Sequence, residues 1–231
     1  MSKENLIKKY LEQRKETGQK GFWIDSKKSG LDTPSKKETL SQLETEVKNC
    51  RKCSLGSQRL NACFGGGAEN ADLMFVGEGP GFNEDHQGKV FVGRAGKLLT
   101  KIINNVFNLK REEVYITNIV KCHPMKDPKN PEKHGNDRPP NGKEVKKCIP
   151  YLVRQLELIR PKVLVPLGAP ASKTILNTTT GITRLRGKVY DLKFSDVSLK
   201  VVPTYHPAYL LRSPSKKKET FEDTKIIRKL I

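Results

Sequence analysis

Four short apolar runs separated by longer amphipathic segments place the strongest constraint on how this chain can fold. The runs have the length of strands, and three intervening segments repeat apolar residues at helical spacing. This alternation is typical of a parallel sheet covered by helices. We therefore predict an α/β fold with a three-layer α/β/α architecture around a central four-stranded parallel sheet. The predicted strands are residues 72–77, 113–120, 162–168 and 199–204, and the predicted helices are 95–107, 143–159 and 169–176.

The charge balance indicates a polyanionic partner. The 231 residues carry 44 Lys and Arg against 25 Asp and Glu, a formal net charge of +19, and most of the excess lies in the second half. Basic charge spread over the folded part, rather than confined to a tail, favours nucleic acid as the partner. The chain begins with polar residues and no apolar run approaches the ~18 residues that span a membrane. We therefore expect a cytoplasmic protein that does not enter membranes.

Composition divides the chain into three parts. Residues 1–40 are predicted to form a basic N-terminal extension, residues 41–215 the folded domain, and residues 216–231 a basic C-terminal helix. Ser35, with Glu38 three residues later, has the pattern of a helix cap. This pattern predicts a capped helix that leads the chain into the folded domain.

The spacing of the cysteines predicts a metal site. Cys50 and Cys53 form a C-x-x-C pair, while Cys122 ends a predicted strand and Cys148 lies within a predicted helix. Two close and two distant thiolates suit either a tetrahedral zinc ion or an iron–sulfur cluster, and the spacing does not choose between them. Ordinary buried thiols are the alternative. The fifth cysteine, Cys63, is given no role.

A glycine-rich turn follows the first predicted strand. Gly77–Gly81 has the sequence GEGPG, and backbone N–H groups at the carboxyl end of a parallel strand can hold a small planar or anionic group. A dinucleotide fingerprint would need glycine at position 82, where the chain has Phe82, and a helix beginning at once, which we do not expect. A tight turn without a ligand is the alternative interpretation.

Three further positions near this turn carry polar or aromatic groups. Glu84 or Asp85 could orient water, although an exposed loop would carry such acids without any function. Phe91 precedes a predicted helix and could equally be a core residue. Asn118 lies near the end of an apolar strand, where its amide must find hydrogen bonds or read the edge of a nucleobase.

A histidine and a leucine pair follow the last predicted strand. Pro207 keeps His206 extended, which would direct the imidazole out of the strand end toward the glycine turn and Asn118. A satisfied structural histidine is the alternative. Leu210 and Leu211 are expected to be exposed beside Arg212, either as the start of a helix or as an apolar wedge with cations that bind phosphates.

Taken together, these motifs resemble the family 4 uracil-DNA glycosylases, the iron–sulfur branch of the uracil glycosylase superfamily. The resemblance runs from about Cys50 to about Ser215. It is carried, in order, by GEGPGFNEDHQGKVFVGRAGKLL, YITNIVKC, PKVLVPLGA, ITRLRGKVY and YHPAYLLRSP.

The resemblance implies a repair enzyme that hydrolyses the N-glycosidic bond of uracil in DNA, the start of base excision repair. It assigns uracil binding to the glycine turn, an aromatic ring, an amide and an imidazole. These residues are Gly77, Glu78, Gly79, Phe91, Asn118 and His206. His206 and Asn118 would stabilise and read the departing base, and Glu84 or Asp85 would orient water, because Gly79 stands where the best-known branch has an aspartate.

The same resemblance extends to DNA contacts and to the metal site. Leu210 would fill the space left by the flipped nucleotide, and Arg212 would bind phosphate. A 4Fe-4S cluster is implied on the four ligand candidates, Cys50, Cys53, Cys122 and Cys148. The implied substrate is uracil-containing DNA, single- or double-stranded, and the chain is expected to act as a monomer.

The chain departs from the family in two places. The stretch 123–142, rich in Pro, Asn, Asp and Lys, predicts a long exposed loop with an apparent insertion around residues 125–135. The N-terminal extension is the second departure, and its Phe22 and Trp23 suggest a docking segment for a protein partner. Three alternatives stay open: a nucleic-acid-binding protein without catalysis, a glycosylase with broader substrates, and zinc in place of the cluster.

Overall fold

The computed structural model describes residues 38–231, which form a six-stranded sheet with helices on both faces. The strands are β1 (Gly66–Gly67), β2 (Leu73–Gly77), β3 (Tyr115–Asn118), β4 (Val163–Pro166), β5 (Tyr190–Phe194) and β6 (Val197–Val201). Their order in the sheet is β1-β3-β2-β4-β6-β5. β2 pairs in parallel with β3 and β4, and β4 pairs in parallel with β6.

The central parallel strands confirm the predicted four-stranded parallel sheet. Every residue of β2, β3 and β4 is buried, as expected for strands covered on both faces. The two antiparallel edge strands, β1 and β5, were not predicted. β1 contains only two glycines, and β5 has the sequence YDLKF, in which charged residues alternate with apolar ones, so neither strand forms a continuous apolar run.

Nine α-helices surround the sheet within the described part of the chain. They are α1 (Leu40–Asn49), α2 (Ser54–Gln58), α3 (Phe82–Gln87), α4 (Arg94–Ile102), α5 (Gly142–Ile159), α6 (Gly168–Leu176), α7 (Ile182–Leu185), α8 (Pro207–Arg212) and α9 (Lys217–Arg228). The three helices predicted from periodicity correspond to α4, α5 and α6. The first of them continues as a π-helical turn, Ile103–Phe107.

Two apolar cores, one on each face of the sheet, give the molecule its three layers. Met74 and Val76 of β2 face a core that includes helices α1, α5 and α6. Leu73 and Phe75 of the same strand face the opposite core, which includes α4 and Ile227 of α9. Because side chains of a strand alternate between faces, a short apolar run supplies both cores at once.

Two expectations about helix starts were wrong. The cap of α1 is Thr39, whose hydroxyl accepts the backbone N–H of Gln42, whereas Ser35 and the rest of residues 1–37, with Phe22 and Trp23, lie outside the described residues. Glu38, expected in that cap, instead bonds the guanidinium of Arg154. A helix, α3, does begin directly after the glycine turn.

Of the stretch 123–142, residues 123–141 lie between β3 and α5 without a helix or a named strand of their own, and Gly142 begins α5. Its middle is mostly exposed, as predicted, but His123, Pro124, Met125 and Asn136 are buried. A β-bridge joins Met125 to Asp137, so the two arms of this loop are held together. In the described range, no helix has both the length and the apolar character needed to cross a bilayer.

Candidate active site

A cleft of about 410 Å³ opens at the carboxyl ends of the parallel strands. This is the usual ligand position in open α/β sheets, because loops diverge there from neighbouring strands. The turn after β2, the end of β3 and the residue before α8 all contribute to the cleft. The predicted site residues that line it are Glu78, Gly79, Glu84, Phe91, Asn118 and His206.

Asn118 presents an unpaired amide oxygen to this cleft. It is the last residue of β3, only 1% exposed, and its Oδ1 has no hydrogen-bond partner within the described residues. Its neighbour across the sheet is Gly77. A Cβ at Gly77 would lie 2.3 Å from Oδ1 of Asn118 and 2.6 Å from the ring of Phe91. Glycine at position 77 therefore makes room for two other site side chains, and Gly77 itself is not among the residues that line the cleft.

The backbone around Phe91 is held in an uncommon conformation. Phe91 has a φ of 50°, in the left-handed region that bulky residues seldom adopt. A Cβ at Gly96 would lie 1.8 Å from the carbonyl oxygen of Phe91, so only glycine at 96 allows this close approach. The ring of Phe91 consequently lies against the cleft, with its centroid 5.7 Å from that of His206.

Glu84 holds the backbone on both sides of the cleft. Its Oε1 accepts N–H groups from Val92 at 2.8 Å and Gly93 at 2.9 Å, and its Oε2 accepts from Gly81 at 3.3 Å. These bonds join the glycine turn to the segment that carries Phe91. The carboxylate lines the cleft, but its acceptors are largely used by the protein itself.

Asp85 points away from the cleft. It is fully buried and accepts the backbone N–H groups of Leu60 and Asn61, and one oxygen lies 3.5 Å from Nδ1 of His123. The expectation that Asp85 could orient water is therefore wrong. Glu78, by contrast, lines the cleft, and burial raises the pKa of its carboxyl group above the usual value.

His206 is the N-cap of α8 and is held as a neutral imidazole. Its Nδ1 accepts the backbone N–H of Ala208 at 3.1 Å, which leaves the proton on Nε2. Burial, with the nearby charge of Arg212, lowers the pKa of His206 to about 4. Gly168, at the start of α6, was missed from the sequence. It has a φ of 84°, and a Cβ there would lie 2.9 Å from Cβ of His206.

Of the two leucines that follow His206 and were predicted to be exposed, one is buried. Leu210 is 1% exposed, so the expectation that it is an exposed residue is wrong. Leu211 is 36% exposed, and Arg212 beside it is exposed as well. Successive residues of a helix point about 100° apart, so two adjacent leucines seldom share an environment.

The four predicted ligand cysteines line one small pocket, beside Lys52, Arg59 and Lys147. Arg59 Nη1 lies 2.9 Å from Sγ of Cys122, and the backbone N–H of Lys121 donates to Sγ of Cys148 at 3.3 Å. Four soft sulfur atoms among cations and an N–H donor fit a group bound by thiolates. Among residues 38–231, no three His, Cys, Asp or Glu side chains are arranged to hold a single metal ion.

Cys63 lies outside this pocket. It is buried, and its thiol donates to the carbonyl oxygen of Glu84 at 3.1 Å. Burial raises the pKa of the Cys63 thiol well above its usual range. Cys63 is therefore a structural thiol under the helix that carries Glu84.

Lys121 connects the cysteine pocket to the cleft, and sequence reasoning missed it. The side chain is fully buried, and Nζ donates to Thr117 Oγ1 at 2.7 Å, to the carbonyl oxygen of Asn118 at 2.7 Å and to Gln155 Oε1 at 2.6 Å. Burial lowers its pKa to about 7, against the opposing effect of Cys148 and Cys122. A lysine directly after an apolar strand was the available signal.

The fold and the cleft together define a three-layer α/β protein with an open cleft at the carboxyl ends of its strands. An aromatic surface, an amide and a neutral imidazole surround that cleft, and these groups contact rings through their faces and edges.

Comparison with known proteins identifies the family. Residues 64–230 match the description "Uracil DNA glycosylase superfamily". The chain is 43% identical to a type-4 uracil-DNA glycosylase of Sulfurisphaera tokodaii, over 84% of this chain and 85% of that protein. It is 44% identical to one of Archaeoglobus fulgidus, over 84% of this chain and 94% of that protein. The chain therefore belongs to the uracil DNA glycosylase superfamily, whose members hydrolyse N-glycosyl bonds in DNA.

Proposed function

We propose that this protein flips uracil out of DNA and hydrolyses its N-glycosidic bond, leaving an abasic site. The observation that carries the proposal is the buried amide oxygen of Asn118, unpaired within residues 38–231, in the same cleft as His206. A buried polar atom without a partner costs folding free energy, so its presence at the bottom of a cleft indicates a ligand that supplies the partner.

The amide of Asn118 selects uracil by its hydrogen-bonding edge. Oδ1 accepts from N3–H of uracil, and the NH₂ group donates to O4. Cytosine has an acceptor at N3 and a donor at C4, which is the opposite pattern. The bond from Lys121 Nζ to the carbonyl oxygen of Asn118 fixes the backbone from which the amide extends.

His206 stabilises the leaving base. Negative charge develops on uracil as the glycosidic bond breaks, and hydrogen-bond donors in place beforehand lower the free energy of that state. The hydrogen bond from Ala208 to Nδ1 keeps the donor proton on Nε2. A neutral imidazole can donate that proton without adding a full charge to the free cleft.

Glu84 contributes mainly by holding the backbone of the cleft in place. Its bonds to Gly81, Val92 and Gly93 fix the glycine turn relative to Phe91, on which the flipped base stacks. The positive charge on the sugar in a dissociative transition state reduces the need for a strong base. We therefore expect substitution of His206 or Asn118 to lower cleavage more than substitution of Glu84.

We propose that Cys50, Cys53, Cys122 and Cys148 would hold a 4Fe-4S cluster in the cysteine pocket. Such a cluster would tie together the junction of α1 and α2, the segment after β3 and helix α5, which carry these cysteines. Iron and sulfide analysis, with absorbance in the blue, distinguishes the cluster from zinc. Cys148→Ser should lose the iron, whereas Cys63→Ser, outside the pocket, should retain it.

One incubation tests the activity. A single-stranded oligonucleotide with one uracil should release free uracil and leave an alkali-labile site, and His206→Ala should reduce the rate about 100- to 1,000-fold. Tight binding of DNA without release would instead favour a binding protein. A panel with hypoxanthine and ethenocytosine tests the alternative of a broader glycosylase.

The proposal also covers the parts of the chain outside the cleft. We propose that residues 41–215 form the glycosylase domain with a basic helix after it, and that the chain acts as a monomer. Arg212, exposed at the end of α8, is proposed to bind a phosphate. Removal of residues 1–37, followed by activity and pull-down measurements, tests whether the N-terminal extension binds a protein partner.

A further inference from the structure

Three aromatic rings are stacked at the mouth of the cleft. The ring of Phe82 lies between those of His86 and His134, with both centroid distances 4.0 Å and inclinations of 31° and 34°. Both nitrogens of the His86 ring have partners: Nδ1 lies 2.8 Å from the carbonyl oxygen of Phe82, and Nε2 lies 2.9 Å from the carboxylate of Glu132. His134 is the last ring of this stack on the side of the 123–142 loop.

The loop that carries His134 is internally braced. The side chain of Asn136 donates to the carbonyl oxygens of Asp127 and Asn130, and its Oδ1 accepts the N–H of Asp127 at 2.8 Å. The carboxylate of Asp137 bonds His123 at 2.7 Å. These contacts brace the loop on which His134 lies, and the ring of His134 itself packs against Phe82.

His134 is directed toward the path of the substrate. It lines the same cleft as Asn118 and His206, and it remains exposed although Phe82 covers one face of its ring. The uncovered face is therefore available at the entrance through which a flipped nucleotide must pass. A rigid aromatic face beside the reaction cleft is suited to stacking on a second flat ring.

Positive charge surrounds this ring. Lys126, Lys129 and Lys133 are exposed on the same loop, and Arg94 lines the cleft, whereas the guanidinium of Arg138 is paired with Glu144. The acidic neighbours Glu132 and Asp137 are bonded to His86 and His123. A stacking surface rimmed by cations is the combination that binds single-stranded nucleic acid, in which the bases stack and the phosphates contact the cations.

We propose that the exposed face of His134 is a stacking subsite for the nucleobase next to the flipped uridine. This inference rests on the proposed function, because it assigns the neighbouring nucleotide of the same DNA strand to a place beside the cleft. Since every base has an aromatic face, the subsite accepts any of the four bases. It holds the strand next to the flipped uridine and so favours substrates whose neighbouring base can leave the helical stack.

The test removes the base and the ring separately. Single-stranded oligonucleotides with one uracil are compared with matched oligonucleotides in which the 5′ or the 3′ neighbour is an abasic tetrahydrofuran nucleotide. For the wild-type protein, loss of the base on one of the two sides should lower kcat/KM roughly 5- to 100-fold. For His134→Ala, the same replacement should change kcat/KM less than about twofold, because no ring remains to be stacked.

Two further variants separate stacking from the effects of proton exchange and of charge. His134→Phe retains a ring without a proton to exchange, and it should restore the dependence on the neighbouring base. Lys133→Ala removes an adjacent charge, so it should lower kcat/KM for both oligonucleotides by the same factor and keep the wild-type ratio.

The outcomes distinguish this inference from the proposed function. If wild-type protein released uracil equally well with and without either neighbouring base, the stacking subsite would be excluded while the glycosylase activity stood. The same conclusion would follow if His134→Ala kept the full dependence on that base. If no oligonucleotide released uracil, the proposed function itself would be at fault.

Discussion

The ring centroids of Phe91 and His206 are 5.7 Å apart, and the two rings are inclined by 33°. This separation is too small for a third ring to lie between them. A base therefore cannot lie between the two rings, and in the proposed arrangement it stacks on Phe91 and meets the imidazole at its edge, where a donor can reach an oxygen atom.

In the proposed site, the aromatic face of Phe91 is the surface on which uracil stacks. Phe91→Leu keeps the apolar volume but removes the flat face, so kcat/KM should fall roughly 10-fold through a higher KM. Steady-state kinetics with a uracil-containing oligonucleotide measure the effect. An unchanged KM in a folded variant would show that the base does not stack on this ring.

The protonation of His206 predicts how the reaction depends on pH. Because the pKa of this imidazole is lowered to about 4, the neutral donor should be present above that value and lost as the pH falls through it. The contribution of His206 to a profile of kcat/KM should therefore stay level through the ordinary histidine range near 6.5, whereas Lys121, with its pKa lowered to about 7, titrates close to that range. A decline centred near 6.5 that persists in Lys121→Met would contradict the neutral donor.

The same shift has a consequence for stability. The unfolded chain gains a proton on this histidine near pH 6.5, whereas the folded chain does not until about pH 4. As the pH falls between those values, this group progressively destabilises the folded protein.

A second group in the cleft, the carboxyl group of Glu78, also has a raised pKa. Glu78→Gln should keep the acidic limb of the activity profile if that limb belongs to His206.

Parts of the fold and of the site followed from sequence alone because they depend on short-range patterns. The apolar runs around Phe75 and Val165 have the periodicity of buried strands, and strand ends in a parallel sheet meet at one edge, where Asn118 and His206 lie. The orientation of Asp85 and the φ of Phe91 could not be predicted. The orientation of Asp85 depends on hydrogen bonds from residues distant in the sequence. The φ of Phe91 depends on the packing of its backbone against a helix.

Asn118 should be required for activity although it does not stabilise the folded protein. Asn118→Leu removes a buried oxygen that lacks a partner among the described residues, so the free energy of unfolding should be unchanged or higher by about 1 kcal/mol. Uracil release should nevertheless fall at least about 100-fold. Thr117→Val is the matched control, because its hydroxyl bonds both Phe64 and Lys121 and its loss should lower the melting temperature. A lower melting temperature for Asn118→Leu than for Thr117→Val would refute this prediction.

Gly77 should tolerate no side chain. Gly77→Ala places a Cβ 2.3 Å from Oδ1 of Asn118 and 2.6 Å from the ring of Phe91, so both groups must move. A displacement of this size should lower kcat/KM on the order of 100-fold. Gly66→Ala, in edge strand β1 with no atom within 4 Å of the new Cβ, is the control and should retain activity. Equal activities of the two variants would show that the positions of Asn118 and Phe91 do not limit the reaction.

The leucines of α8 should separate stability from DNA contact. Leu210 is 1% exposed and Leu211 36% exposed, so the apolar residue available to enter a DNA duplex is Leu211. Leu210→Ala should lower the free energy of unfolding by about 2 to 5 kcal/mol. Leu211→Ala should change it by less than about 0.5 kcal/mol, yet reduce uracil release from duplex DNA more than from single strands. Thermal unfolding and parallel assays on the two substrates measure both effects. Equal losses on duplex and single-stranded DNA in Leu211→Ala would mean that this side chain does not fill the space left by the flipped nucleotide.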